Sequence, residues 1–235
     1  KMDANPSEWR CPEGFGKGTQ GMNFLDPEHS YYHYPWGLYS GGHAHLDPAK
    51  SDEREPMIQG RDRSKTMILG DSCGFQIATG VLKMDWANAK DPNDPARQEL
   101  CNKILKWLEH TADWSMTLDV PAFAAVGKLS EKTGLTEFQD TLDVSLLNLD
   151  YFMKNRTPGA TKFLNVLSGS NEENSKTWYD AVKHFSDKSF VQEAYGDDSK
   201  TLEGYAFAGI NMKHMYSVLS RLLDLREDGL LEGKD

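Results

Sequence analysis

The sequence predicts an α/β protein built on a parallel sheet. Four short apolar runs, Thr66–Leu69, Trp114–Asp119, Lys162–Leu167 and Tyr205–Ile210, alternate with longer segments of helical period at about 95–112, 137–154, 172–186 and 212–227. Strands that alternate with helices in this way form a parallel sheet with right-handed crossovers. The first and third runs lead directly into glycine and serine, as strands feeding turns do. Periodicity alone leaves open whether such a sheet is open or closed.

Residues 1–60 are rich in Gly, Pro, Tyr and His and keep no sustained period of 2 or 3.6, so they are expected to be mostly irregular. Within them Tyr31–Tyr39 places five aromatics in nine residues, a cluster expected to lie against the body of the domain, because an exposed patch of that size is a binding surface or a liability. Residues 61–235 hold the βα repeats with no linker between units, giving a single domain. Met67, Ile68 and Leu69 are continuously apolar, as in a strand covered on both faces. The loop Asp91–Pro95 then leads to a helix whose Leu100, Ile104, Leu105 and Leu108 share one face. The later helices carry Phe138, Leu142, Leu146, Leu149 and Phe152, then Trp178, Val182 and Phe185, then Met215, Val218, Leu219, Leu222 and Leu225 on their inward faces.

At 235 residues, with 38% hydrophobic and 11% aromatic content, the chain can bury one good core. A formal net charge of −10 opposes general adhesion to nucleic acid or to an anionic membrane, while 26 Lys and Arg leave room for a local basic groove. No run approaches the roughly 20 apolar residues of a membrane span, and Lys1–Pro6 lacks the apolar stretch of a secretion signal. A cytoplasmic setting and no membrane partner are expected. Cys11, Cys73 and Cys101 form no Cys-x-x-Cys pair, which argues against a disulfide framework or a Cys-rich zinc site and for reduced thiols.

The strand ends nominate the chemistry. Asp71, Asp119, Ser168 to Ser170, and Gly209 with Asn211 follow the four predicted strands and would face one mouth, where α/β folds bind their ligands. Asp71, Ser72, Phe75 and Gln76 gather a carboxylate, a hydroxyl, an aromatic ring and a carboxamide, a set suited to a flat heterocycle with N–H and C=O edges. Two carboxylates at one mouth can recognise N–H donors, or do acid–base work if burial or proximity moves one pKa toward neutrality. The plain structural reading of these residues is capping: Asp71 or Ser72 starting a helix, Asp119 before Pro121, and Ser168-Gly169-Ser170 as a βα turn. A rival motif is His43-Ala-His45, since a His-x-His at a strand end can chelate a metal in a hydrolase. The further ligands such a site needs are not evident, because His110, His184 and His214 fall within or beside predicted helices.

Asp71-Ser-Cys-Gly-Phe-Gln76 resembles the Asp-Ser-Gly-Gly-Phe-Gln signature of the tRNA-guanine transglycosylase superfamily, and of its phage-type members that insert 7-deazaguanines into DNA, with five of six residues shared. The likeness continues in order. Asp119 in Leu118-Asp-Val-Pro121 resembles a later strand-end Asp of the family. Val166-Leu-Ser-Gly-Ser170 resembles its Gln-Gly-Gly segment with Ser168 for Gln and Ser170 for the second Gly, and Gly204-Tyr-Ala-Phe-Ala-Gly-Ile210 resembles its Gly-Tyr-Ala-x-Gly-Gly-Leu run with Ala208 for the first of the paired glycines.

The resemblance implies a TIM-type (β/α) barrel, of which four βα units are about half. It also implies a pentosyltransferase that exchanges guanine for a 7-deazaguanine at an N-glycosidic bond in nucleic acid, DNA favoured over tRNA, with no cofactor. Phe75 would stack on the base, Asp71 (the expected catalytic carboxylate) and Asp119 would hydrogen-bond its edge, and Ser168 would make a weaker polar contact beside Gly169. Gly209 would close the pocket floor. The family's nucleophilic Asp and its zinc site of three Cys and one His have no counterpart here, which keeps a second expectation open: a catalytically inactive, base-binding relative that works with a partner subunit or as a homo-oligomer. The third is the metal hydrolase on His43 and His45.

Overall fold

The computed structural model describes residues 22–28, 30–59 and 61–232; the side chain of His43 lies outside the description. Five strands form one parallel sheet in the order β1 (Trp36–Ser40), β2 (Met67–Asp71), β3 (Trp114–Met116), β4 (Lys162–Leu167) and β5 (Gly204–Phe207). The helices between them are α1 (Pro48–Arg54), α2 (Gly74–Thr79), α3 (Pro95–Thr111), α4 (Gly127–Thr133), α5 (Phe138–Asn155), α6 (Glu172–Val182) and α7 (Lys188–Tyr195), and α8 (Met215–Glu227) follows β5. The α/β class and the parallel sheet read from the sequence are therefore present.

Alternation along each strand fixes which face meets the helices. Tyr39 packs its ring edge-on to Trp107 of α3, Phe163 meets Phe152 of α5, and Asn165 donates to the Val182 carbonyl of α6 at 2.8 Å. On the same face, a Cβ added to Gly70 would come within 2.7 Å of Leu108 and 2.8 Å of Ala112, so glycine is what lets α3 lie close to β2. The core of Ile68, Ile104, Leu105, Leu108, Phe152, Phe163, Trp178 and Tyr179 fills this side. The alternate residues, Trp36, Leu38, Met67, Leu69, Trp114, Met116 and Leu164, point the other way.

The helices pack in a row that follows the strand order, α1 on α3, α3 on α5, α5 on α6 and α6 on α8. The strand starts are staggered: Trp36 is level with Met67, but Trp114 is level with Leu69, two residues into β2. Lys162 is level with Trp114, and Gly204 with Leu164, two residues into β4. The sheet thus climbs about one residue per strand.

At the N-terminal end of the sheet, two buried arginines hold acids that precede the strands. Asp113 pairs with Arg61 and accepts the Ile68 N–H at 2.7 Å; Glu203 pairs with Arg156 at 2.5 Å and accepts the Phe163 N–H at 2.8 Å. Each carboxylate thereby satisfies a backbone donor that the short following strand leaves free.

Two expectations are corrected. Residues 36–54 supply β1 and α1, so among the described residues the sheet has five strands rather than the four expected. β1 escaped the pattern because Gly37 and Tyr39 occupy its helix-facing positions while Trp36 and Leu38 are exposed, giving no apolar–polar alternation. The segment at 172–186 also differs: the α-helix stops at Val182, one tight 3-10 turn follows at Lys183–Ser186, and Asp187 caps a separate α7 by accepting the Ser189 N–H.

Candidate functional site

Asp71 is the last residue of β2 and lies on the face away from the helices. Just beyond it Cys73 adopts a left-handed conformation with φ of 66°, the region that glycine populates most freely, at the one signature position where this chain departs from Gly. The turn it makes starts α2 and leaves Phe75 58% exposed at the sheet's C-terminal end. Gly74 is fixed by contact, since a Cβ there would sit 2.2 Å from the Asp119 carbonyl oxygen and 3.3 Å from Asp119 Oδ1. The close approach of α2 to the end of β3 therefore depends on glycine at 74 rather than at 73.

That contact brings Asp119 beside Asp71 and Phe75. Burial pushes the Asp119 carboxyl up to about 7; a hydrogen bond from its own backbone N–H opposes the rise, and the neighbouring Asp71 charge adds to it. One carboxylate near its titration midpoint at neutral pH, next to a second one, is a group able to donate or accept a proton under working conditions. Asp71 Oδ1 also accepts the Cys73 N–H at 3.3 Å, a long bond that leaves most of its acceptor capacity toward the mouth.

Phe123 completes this cluster and had no signal in the sequence. It lies in the 3-10 turn Ala122–Ala125 after Pro121, and its ring centroid is 5.6 Å from that of Phe75 at 59°. Both rings are exposed, so the mouth has an aromatic shelf beside two carboxylates.

The remaining candidates separate into wall and mouth. Ser72 turns inward, buried, and donates to the Thr117 carbonyl at 3.0 Å, tying the β2 turn to the end of β3. Gln76 packs on Gly42 of the β1–α1 loop, where an added Cβ would lie 2.3 Å from its Cγ. Ser168 is buried. Gly169 and Gly209 form a second cluster on β4 and β5: Gly209 has φ of 62°, a Cβ on it would fall 2.2 Å from the Gly169 carbonyl, and Ile210 N–H donates to that carbonyl at 2.9 Å. Asn211 ties the same turns by donating to Leu167 O at 2.9 Å and accepting from Ser175 at 3.0 Å.

His45 is exposed and its backbone N–H donates to Glu55 at 3.0 Å. Among the described residues no three His, Cys, Asp or Glu side chains converge as metal ligands. Cys73 and Cys101 are free thiols, and burial raises both above the ordinary thiol range. A wider open cleft of about 730 Å³ lies between Trp86–Asp91 and Glu131–Leu135. Its lysines are engaged, Lys90 with Asp140 and Lys132 with the Thr79 carbonyl, so it gathers no group poised for chemistry.

Comparison with protein-family models, with curated proteins and with solved structures finds no match to this chain. Among the described residues no helix is long and apolar enough to cross a membrane.

Proposed function

We propose that this chain carries the base-recognition site of a nucleic-acid transglycosylase that exchanges guanine for a 7-deazaguanine, with DNA favoured over tRNA as the acceptor. The observation that carries the reading is the meeting of Asp71, Asp119 and the exposed Phe75 at the C-terminal end of one parallel sheet. A purine-like base stacked on Phe75 presents its N–H edge to Asp71, while Asp119 holds a proton up to about pH 7 for a ring nitrogen or carbonyl oxygen. The staggered sheet and sequential strand order support a (β/α) barrel, since a climb of one residue per strand is the eight-stranded geometry with shear eight.

In this reading a carboxylate oxygen attacks C1′ and the glycosidic bond breaks. The bond's electron pair leaves with guanine, which takes up a proton. The deazaguanine ring nitrogen then attacks C1′ after losing its own proton, and the carboxylate departs. This chain's residues bind the leaving and entering bases in turn and keep a proton within reach of them. The attacking carboxylate has no counterpart motif in the sequence, and that favours one second reading: the same pocket in a binding subunit that recognises the base without exchanging it. Incubation with guanine-containing DNA or tRNA and labelled 7-deazaguanine separates the two. Incorporation supports exchange, binding without incorporation supports the subunit, and neither result would remove both.

A further inference from the structure

The mouth carries two aromatic rings where one base needs one. Among the described residues Phe75 is 58% and Phe123 38% exposed, and their ring centroids lie 5.6 Å apart with the planes tilted by 59°. A flat heterocycle stacks with its plane parallel to the ring beneath it, so a base lying on Phe75 cannot also lie on Phe123. The second ring is displayed on an anchored turn. Ala124 and Val120 on either side of it are buried; the Thr133 hydroxyl donates to the Ala124 carbonyl at 2.9 Å, and the Val120 N–H donates to Ser145 at 2.8 Å. Val126 extends the exposed apolar surface and donates its N–H to the Phe123 carbonyl at 3.1 Å.

Uncompensated positive charge borders the same rings. α4 packs against both α2 and the turn that carries Phe123, and it holds Lys128 and Lys132 one helical turn apart. Lys132 donates to the Thr79 carbonyl at the end of α2 at 3.3 Å, a bond that leaves its charge unneutralised, and Lys83 lies four residues beyond Thr79. None of these three lysines meets a carboxylate among the described residues, whereas Lys50, Lys90, Lys103, Lys154 and Lys176 each do. In a chain of net charge −10, free lysines beside an aromatic shelf make a local site for a polyanion that carries flat rings.

We infer that Phe123, Lys128 and Lys132 form a platform for single-stranded nucleic acid: the base next to the one on Phe75 stacks on Phe123, and the phosphates beside it pass along α4. The tilt decides the class of ligand. Neighbouring bases in a duplex stay parallel, so two linked bases lying on planes 59° apart are unstacked from each other, as a single strand allows. This platform rests on the base-recognition reading above, to which it adds the nucleotide beside the target.

Fluorescence anisotropy reads the platform, using a labelled guanine-containing DNA strand of about 12 nucleotides, its duplex, and an abasic strand of equal length. Calorimetric titration of free 7-deazaguanine reads the base site separately. The single strand is expected to bind at least about 5-fold more tightly than the duplex or the abasic strand. Phe123→Ala is expected to weaken single-strand binding at least about 5-fold, and Phe123→Tyr, which keeps the ring, to retain it. Lys128→Ala with Lys132→Ala is expected to flatten the slope of log affinity against log salt by about 1.4, or about 0.7 for each lost phosphate contact. Lys188→Ala, at an exposed lysine that starts α7, is expected to change neither affinity nor slope. Equal affinity for the abasic strand or the duplex overturns the inference, and so does single-strand binding that Phe123→Ala leaves intact. Strand binding with these dependences but no 7-deazaguanine binding supports the platform and fails the base reading; 7-deazaguanine binding without them does the reverse.

Discussion

Replacing Asp119 with Asn isolates the electrostatic state of the site from its shape. The folded protein holds the Asp119 proton up to about pH 7, whereas an unfolded chain releases it near pH 4. Folded-state proton binding therefore exceeds unfolded-state binding between those values, and stability falls as pH rises through that window. It is fully present below about pH 4 and lost progressively as pH climbs to about 7. Three pKa units at 1.36 kcal/mol each set an upper bound of about 4 kcal/mol, and partial solvent access to the carboxyl brings the expected cost to roughly 2–4 kcal/mol. Asp119→Asn removes the ionisation and keeps the size. At pH 8 it is expected to stabilise the fold by that amount, a rise in melting temperature on the order of 5–15 °C for a chain of this length. At pH 4, where both side chains are neutral, the two proteins should agree within about 1 kcal/mol. Urea unfolding of both at pH 4, 6 and 8 is the assay. A stability difference that stays constant across the three values would refute the reasoning, since it would place the Asp119 proton outside the folding equilibrium.

Gly74→Ala should destabilise by about 2 kcal/mol or more, because its Cβ meets the Asp119 backbone rather than a movable side chain, and thermal melting checks it. Gly209→Ala should cost at least as much, through both its positive φ and its contact with Gly169. Cys73→Gly is expected to change stability by less than about 1 kcal/mol, the relief of left-handed backbone offsetting the lost burial of a small side chain, and denaturant unfolding decides it. Arg156→Ala should destabilise by about 3 kcal/mol, since Glu203 would lose its buried partner at the foot of β4 and β5.

How much could be read from the residues depended on what each element packs against. The bounds of β4, Lys162 and Leu167, are legible because its apolar run is one whose last three residues are buried, and α3 is legible because Leu100, Ile104, Leu105 and Leu108 make an unbroken stripe. β3 is shorter than the apolar run suggests: the strand ends at Met116, Thr117 still donates from its N–H and its hydroxyl to the Leu164 carbonyl of β4 and accepts from Ser72, and the chain then turns toward Asp119. The apolar run before Asp71 puts it at a strand's carboxyl end, and β2 does end on Asp71. Ser72 was grouped with it because neighbours in sequence share a turn, yet the turn at Cys73 sends its hydroxyl inward. Phe123 is out of reach of the sequence for the opposite reason, since its partner Phe75 is in α2, 48 positions earlier, and no local pattern links them. Met215 and Leu219 belong to the stripe expected to face inward yet are exposed among the described residues, because an apolar stripe reads the same whether or not anything covers it.

Calorimetric titration of 7-deazaguanine into the wild-type protein and into Asp71→Asn tests the proposed base site most directly. Asn keeps the size of Asp but swaps one acceptor for a donor, so a base N–H loses its charged partner at a cost of roughly 2–4 kcal/mol. The expected result is saturable binding to the wild type, at least about 30-fold weaker binding to the variant, and nearly unchanged melting. Equal affinity for the two proteins would contradict it and return Asp71 to the role of a local cap on the turn into α2.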